Sequence, residues 1–66
     1  MASTYDVPIR ASELRRGDVF ELHRKTRTAA DGPWPAGYGH VSVPLVGGGF
    51  AILSKLTPLT VTRERP

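Results

Sequence analysis

The chain has 66 residues, with nine Lys and Arg against six Asp and Glu, a net charge of +3 and an isoelectric point near 10.0. A chain this short forms one domain around a single small core, and the absence of cysteine excludes disulfides as a source of stability. It shows neither the apolar stretch of a signal peptide nor the ~20 apolar residues that span a bilayer. We therefore expect a cytoplasmic protein without membrane contact.

Five segments alternate apolar and polar residues as half-buried strands do. In chain order they are 7–11, 19–24, 40–46, 50–56 and 59–63. Pro8 places the first strand at a sheet edge, and Pro44 marks another edge or a bulge, because proline has no N–H to donate to a central ladder. Three glycines, 47–49, predict a hairpin turn between the third and fourth strands.

Helical signals are confined to 12–16. Ser12 is a candidate N-cap there and Gly17 a stop, so we expect one helical or 3₁₀ turn. The longest connection, 25–39, exceeds the usual loop length. We expect the end segments 1–6 and 64–66 to be flexible.

The alternation of apolar residues also predicts the core. Its expected members are Ile9, Leu14, Phe20, Leu22, Val41, Val43, Phe50, Ile52, Leu59 and Val61. Trp34 is expected to cover this core in part. Five short strands, tight turns and one long loop predict an all-β single domain over 1–66, as a five-stranded SH3-like antiparallel barrel. An open meander that dimerises through its proline-bearing edges is the alternative.

Two short stretches carry a family resemblance. The entry turn is Leu14-x-x-Gly17-Asp18-Val19, and the closing strand is Thr60-Val61-Thr62-Arg63. With these stretches the chain resembles the small SH3-like barrel proteins of unknown function from actinobacteria and their phages. The resemblance implies the fold and a viral or accessory origin, and it carries no catalytic residue. In the entry turn we expect Leu14 to fill the core, Gly17 to adopt a backbone conformation closed to other residues, and Asp18 to cap the turn.

Segment 31–38 sets Trp34 and Tyr38 among prolines and glycines, which gives rigid aromatic contact area of the kind found at protein interfaces. The basic residues Arg24, Lys25 and Arg27 precede it. Our leading hypothesis is a non-enzymatic module that binds a host or viral protein through these five side chains, by occlusion or tethering. The competing interpretation packs the aromatic rings inward.

A second hypothesis is a nucleic-acid-binding barrel. Its phosphate contacts would come from Arg15, Arg16, Arg24, Lys25 and Arg27, and Trp34 and Tyr38 would stack on bases. The plainer interpretation of the same charges is a solvated rim. A third hypothesis is a homo-oligomeric structural or assembly protein.

Catalysis is not expected. No cysteine nucleophile exists, no serine stands in an elbow motif, and a filled core this small leaves no interior for a pocket of ~300 Å³. His23 and His40 lie in separate predicted strands without further ligands at useful spacing, so they are expected to be surface histidines. The sequence thus predicts neither a metal site nor a cofactor.

Overall fold

The structure is a computed structural model that describes residues 3–65. Within this range the chain forms seven β-strands and one 3₁₀ turn at Ala11–Glu13. The strands are β1 (Thr4–Arg10), β2 (Val19–Leu22), β3 (Lys25–Thr28), β4 (Trp34–Gly37), β5 (His40–Pro44), β6 (Phe50–Ser54) and β7 (Pro58–Glu64). The all-β prediction is confirmed.

The strands build two antiparallel sheets, one with the order β1-β7-β2-β3 and the other with the order β4-β5-β6. They are joined where Ala29 bridges Leu45 and where the Val46 N–H donates to the Thr28 carbonyl at 2.9 Å. The two sheets, of four and three strands, do not close into a barrel, so the expected five-stranded barrel is not confirmed.

The segment 25–39, expected as one long loop, contains β3 and β4. Strand β2 ends at Leu22, two residues earlier than expected, and the chain reverses at once through His23 and Arg24. Both turn residues have left-handed φ, +51° and +65°, as in a type I′ turn. Because such turns usually contain glycine or asparagine, the sequence carried no signal for this hairpin.

Strand pairing extends to the chain ends within the described range. Thr4–Asp6 belong to β1 and pair with residues 62–64 of β7. The guanidinium of Arg65 lies 5.2 Å from the ring centroid of Tyr5. Met1, Ala2 and Pro66, which complete the segments expected to be flexible, lie outside the described residues.

The 3₁₀ turn begins one residue earlier than predicted. Its N-cap is Arg10, whose N–H donates to Glu13 Oε1 at 2.8 Å, and Ser12 caps nothing. The Ala11 N–H donates to the Thr57 carbonyl at 2.9 Å, and the Ala11 side chain is fully buried. This anchoring sets the start of the turn.

Strand β1 is an edge strand, as Pro8 predicted.

The core lies between the two sheets. Its buried members are Ile9, Ala11, Leu14, Phe20, Ala29, Val41, Val43, Leu45, Ala51 and Val61. Leu22 and Leu59, predicted as core, are partly buried against this cluster.

Phe50 and Ile52 are not in the core, where they were predicted, but face outward with 65% and 64% of their surface exposed. Ala51 and Leu53 point inward instead. The register of β6 against β5 sets these directions, because directly paired residues share a face of the sheet. Phe50 and Ile52 pair with Pro44 and Ser42 on the outward face of β5. Ala51 and Leu53 pair with Val43 and Val41, which face the core.

A buried ion pair ties the entry turn to the last strand. Asp18 is only 2% exposed; its Oδ1 accepts from Arg63 Nε at 2.8 Å and its Oδ2 from Arg63 Nη2 at 2.9 Å. Oδ2 also accepts from the Arg15 N–H at 2.9 Å, so Asp18 caps the turn as predicted. Hydrogen bonds to Asp18 raise the pKa of Arg63 above its usual range. Gly17 has φ +90° and Leu14 is buried, which confirms both expectations.

We predict that Asp18→Asn lowers the free energy of unfolding by about 3 kcal/mol, because the amide cannot accept both guanidinium bonds and leaves Arg63 uncompensated. Urea unfolding measures the change. The matched control is Asp6→Asn, where the exposed carboxylate accepts from Thr62 Oγ1 at 2.7 Å; it should cost less than about 1 kcal/mol. Equal losses at the two sites would contradict the assigned role of the buried pair.

The β2–β3 turn gives a prediction of the opposite sign. Replacing His23→Asn together with Arg24→Gly should raise the free energy of unfolding by about 1 kcal/mol, because both new residues tolerate left-handed φ. Thermal or urea unfolding tests it. Arg16→Gly removes the same charge at a turn residue without positive φ and should not stabilise the chain. A double variant that unfolds as readily as the wild type would contradict the inference that left-handed φ destabilises the chain at His23 and Arg24.

Candidate functional site

The outer face of the β4-β5-β6 sheet is apolar and open to solvent. Trp34, Ser42 and Ile52 pair in one row across the three strands, and Pro44 pairs with Phe50 one step further along. We call these five residues the outer apolar face. Trp34 is 56% exposed, and Phe50 and Ile52 are exposed by nearly two thirds. Trp34 therefore lies outside the core, and the expectation that it partly covers the core is wrong.

The sheet that carries this face has no charge. Residues 32–54 contain no Asp, Glu, Lys or Arg, so all nine basic and all six acidic side chains lie outside this stretch. The outer face of the other sheet is quite different. It carries Thr26 on β3 and two threonines on β7, with Asp6 and Glu21 among them, and Thr62 donates to Asp6. The outer face of the β4-β5-β6 sheet is thus apolar, whereas that of the other sheet is polar.

Tyr38 lies at one end of the three-stranded sheet. It occupies the turn between β4 and β5 with φ +51°, and its side chain is fully exposed. The next turn residue, Gly39, accepts from the Lys55 N–H at 2.9 Å, which brings the β6–β7 turn with exposed Leu56 to the same end. Tyr38 and Leu56 are therefore both exposed at this end of the sheet.

Two of the predicted basic residues border the outer apolar face at its Phe50 end. Lys25 and Arg27 line an open cleft of about 320 Å³; the other lining residues are Leu22, His23, Leu45, Gly49 and Phe50. Arg27 Nη2 donates to the Gly48 carbonyl at 3.4 Å, which holds β3 against the glycine hairpin. Arg24 lies in the adjacent β2–β3 turn. The aromatic ring beside the basic residues is thus Phe50, and not Trp34 or Tyr38 as the sequence suggested.

Arg15 and Arg16 lie elsewhere. They line a second open cleft, of about 560 Å³, together with Tyr5, Gly17, Asp18, Arg63 and Glu64. This cleft is at the start of β2, and Arg24 is beyond its end, so the two basic groups are separated by a strand length of about 13 Å. The five residues named for the nucleic-acid hypothesis therefore form two groups, and carboxylates stand within the first of them.

The two histidines are exposed and apart, His23 in the β2–β3 turn and His40 in β5. The His40 Nδ1 lies 3.1 Å from the Tyr38 carbonyl. Across residues 3–65 no three side chains of the metal-ligating types come together. No helix in that range has the length and apolar character to cross a membrane.

Sequence reasoning found Trp34 and Tyr38 but missed Phe50 and Ile52, which it placed in the core. A signal for them existed in the charge-free stretch 32–54, because alternate residues of a strand face opposite sides and the outward side of these strands therefore also lacks charge. No family model, curated protein or solved structure matches the chain.

Proposed function

We propose that the chain is a non-enzymatic binding module that docks a protein through its outer apolar face. One observation carries the proposal. Strand β6 buries Ala51 and partly buries Leu53, while it exposes Phe50 and Ile52, and Trp34 lies across the sheet from Ile52. Phe50 and Ile52 together have more apolar surface than Ala51 and Leu53, so a chain that folded only for its own stability would gain more by burying them.

The size of the surface supports this interpretation. The exposed parts of the three side chains make an apolar patch of roughly 300 Å², a size at which patches on small proteins commonly mark binding sites. Tryptophan and other aromatic residues are typical anchors of such interfaces, because they add much contact area for little lost rotamer entropy. Tyr38 would add to the contact at the end of the sheet.

Charge indicates the chemistry of the partner. The centre of the face is uncharged, so it fits an apolar partner surface that brings no unpaired charge. At the Phe50 end, Lys25 and Arg27 line the neighbouring cleft, with Arg24 in the turn beyond. We infer a protein partner whose apolar patch is bordered by carboxylates on one side. The basic rim would orient that partner and speed its association, and the aromatic side chains would supply most of the affinity.

The family relation also stays a proposal. It is supported by the contact between the two halves of the motif, because Asp18 of the entry turn binds Arg63 of the closing strand and Val19 pairs with Thr62. A module of this kind, from a phage or another accessory element, would act by occluding or tethering the protein that it binds.

We predict that Trp34→Ser combined with Phe50→Ser weakens partner binding about 1,000-fold, the effect of losing two anchors worth about 2 kcal/mol each. The partner is first captured with nuclease present, then purified, and its Kd measured by titration calorimetry. The matched control, Thr26→Ala with Thr60→Ala on the other outer face, should bind within about threefold of wild type.

Binding that survives in the Trp34, Phe50 variant, with its fold verified by circular dichroism, would overturn the proposal. So would capture of nucleic acid that is lost on nuclease treatment. Affinity for duplex DNA would fall by about 10³-fold or more between 50 and 200 mM salt if many phosphates are contacted, whereas docking on an apolar face should change far less. Loss of that affinity in Arg15→Ala with Arg16→Ala would favour the nucleic-acid alternative.

A further inference from the structure

Four strands form the edges of the two sheets, and three of them are protected against pairing with another chain. Strand β1 contains Pro8. Strand β3 carries Lys25 and Arg27. Strand β4 contains Pro35, and its register shifts between Pro35 and Gly37, which is a bulge. Charge, proline and bulges are the devices by which natural edge strands avoid intermolecular pairing.

Strand β6 has none of these devices. Its sequence from Phe50 to Ser54 holds no charged residue and no proline. Its register against β5 runs without interruption from His40–Ser54 to Pro44–Phe50. An uncharged, regular and exposed edge of this kind is a template for another strand.

The hydrogen-bond pattern shows which backbone groups the edge presents. The Leu45 N–H donates to the Gly49 carbonyl at 3.0 Å, and the Lys55 N–H donates to the Gly39 carbonyl at 2.9 Å. Because antiparallel bonds alternate along a strand, Ala51 and Leu53 bond to β5 between these two points. Phe50, Ile52 and Ser54 therefore direct their N–H and C=O groups away from the sheet. Of these groups, the Ser54 carbonyl accepts from the Thr57 N–H at 3.0 Å.

We propose that β6 pairs antiparallel with β6 of a second copy of the chain, which joins two three-stranded sheets into one of six strands. The two-fold axis passes beside Ile52, so that Ile52 stands opposite Ile52 of the partner subunit and Phe50 opposite the partner subunit's Ser54. This register uses every outward N–H of the strand. It is isologous, because the same strand serves both subunits.

Charge and symmetry favour a second copy over a foreign strand. Two chains of net charge +3 repel each other, but their charge-free stretches 32–54 meet here. In this register Lys55 lies opposite Gly49 of the partner subunit, and the two Lys55 residues are about 20 Å apart along the strands, well beyond the Debye length of about 8 Å. The outer apolar faces of both subunits then continue across the junction, with one Ile52 beside the other. This inference does not depend on the proposed function.

Sedimentation equilibrium of the full chain over a wide concentration range tests the proposal. We expect a species of twice 7.2 kDa at high concentration. Ile52→Pro removes an outward N–H without touching a bond to β5 and should weaken dimerisation at least about 30-fold. Ile52→Thr keeps the backbone donor and a β-branched side chain, and should weaken it by less than about tenfold.

A control variant and a hydrogen-exchange measurement complete the test. Trp34→Ser changes the outer apolar face on β4, two strands from the proposed junction, and should dimerise within about threefold of wild type. A monomeric Trp34→Ser variant would mean that copies associate through their outer faces, which overturns edge pairing. Amide hydrogen exchange needs no variant, so it decides the matter even if Ile52→Pro does not fold. The Ile52 amide should exchange more slowly as concentration rises. A chain that stays monomeric at about 1 mM, with that amide exchanging freely, would also refute the proposal.

Discussion

The ion pair between Asp18 and Arg63 is the constraint on which the larger sheet depends. It joins residues 45 positions apart, yet β2 and β7 share only one register pair, Val19 with Thr62. The carboxylate also accepts from the Arg15 N–H, so the same group shapes the entry turn and fastens that turn to the last strand. Without it, the β2–β3 hairpin would be held to β1 and β7 mainly by apolar contacts. A buried charge is tolerated here because each carboxylate oxygen has a donor.

Much of the fold follows from local sequence patterns, and its failures have a specific cause. The inward faces of β5 and β7 and the entry turn at Gly17 were predictable, because spacing and turn chemistry agree there. The β2–β3 hairpin was not predictable, because His23 and Arg24 adopt left-handed φ, which neither residue type favours. Such a turn is imposed by the pairing of the strands on either side, which single-residue preferences cannot report.

The candidate site shows the same limit. Trp34 and Tyr38 were recognised from their rigid surroundings, but Phe50 and Ile52 were taken for core because large apolar side chains usually are. Their true orientation follows from the register of β6, in which Phe50 and Ile52 pair with residues on the outward face of β5. A large apolar side chain in a strand can therefore belong to the core or to an exposed face, and the strand register determines which of the two it is.

The position of β7 between β1 and β2 also has a consequence for synthesis. It follows both neighbours in the sequence, so neither β1 nor β2 can pair with it until residues 58–64 have left the ribosome. The β4-β5-β6 meander is contiguous in sequence and can form earlier, since its contacts are local. During that interval it exposes two apolar faces and one unprotected edge. The nascent chain is thus most prone to misassociation in the interval before β7 emerges.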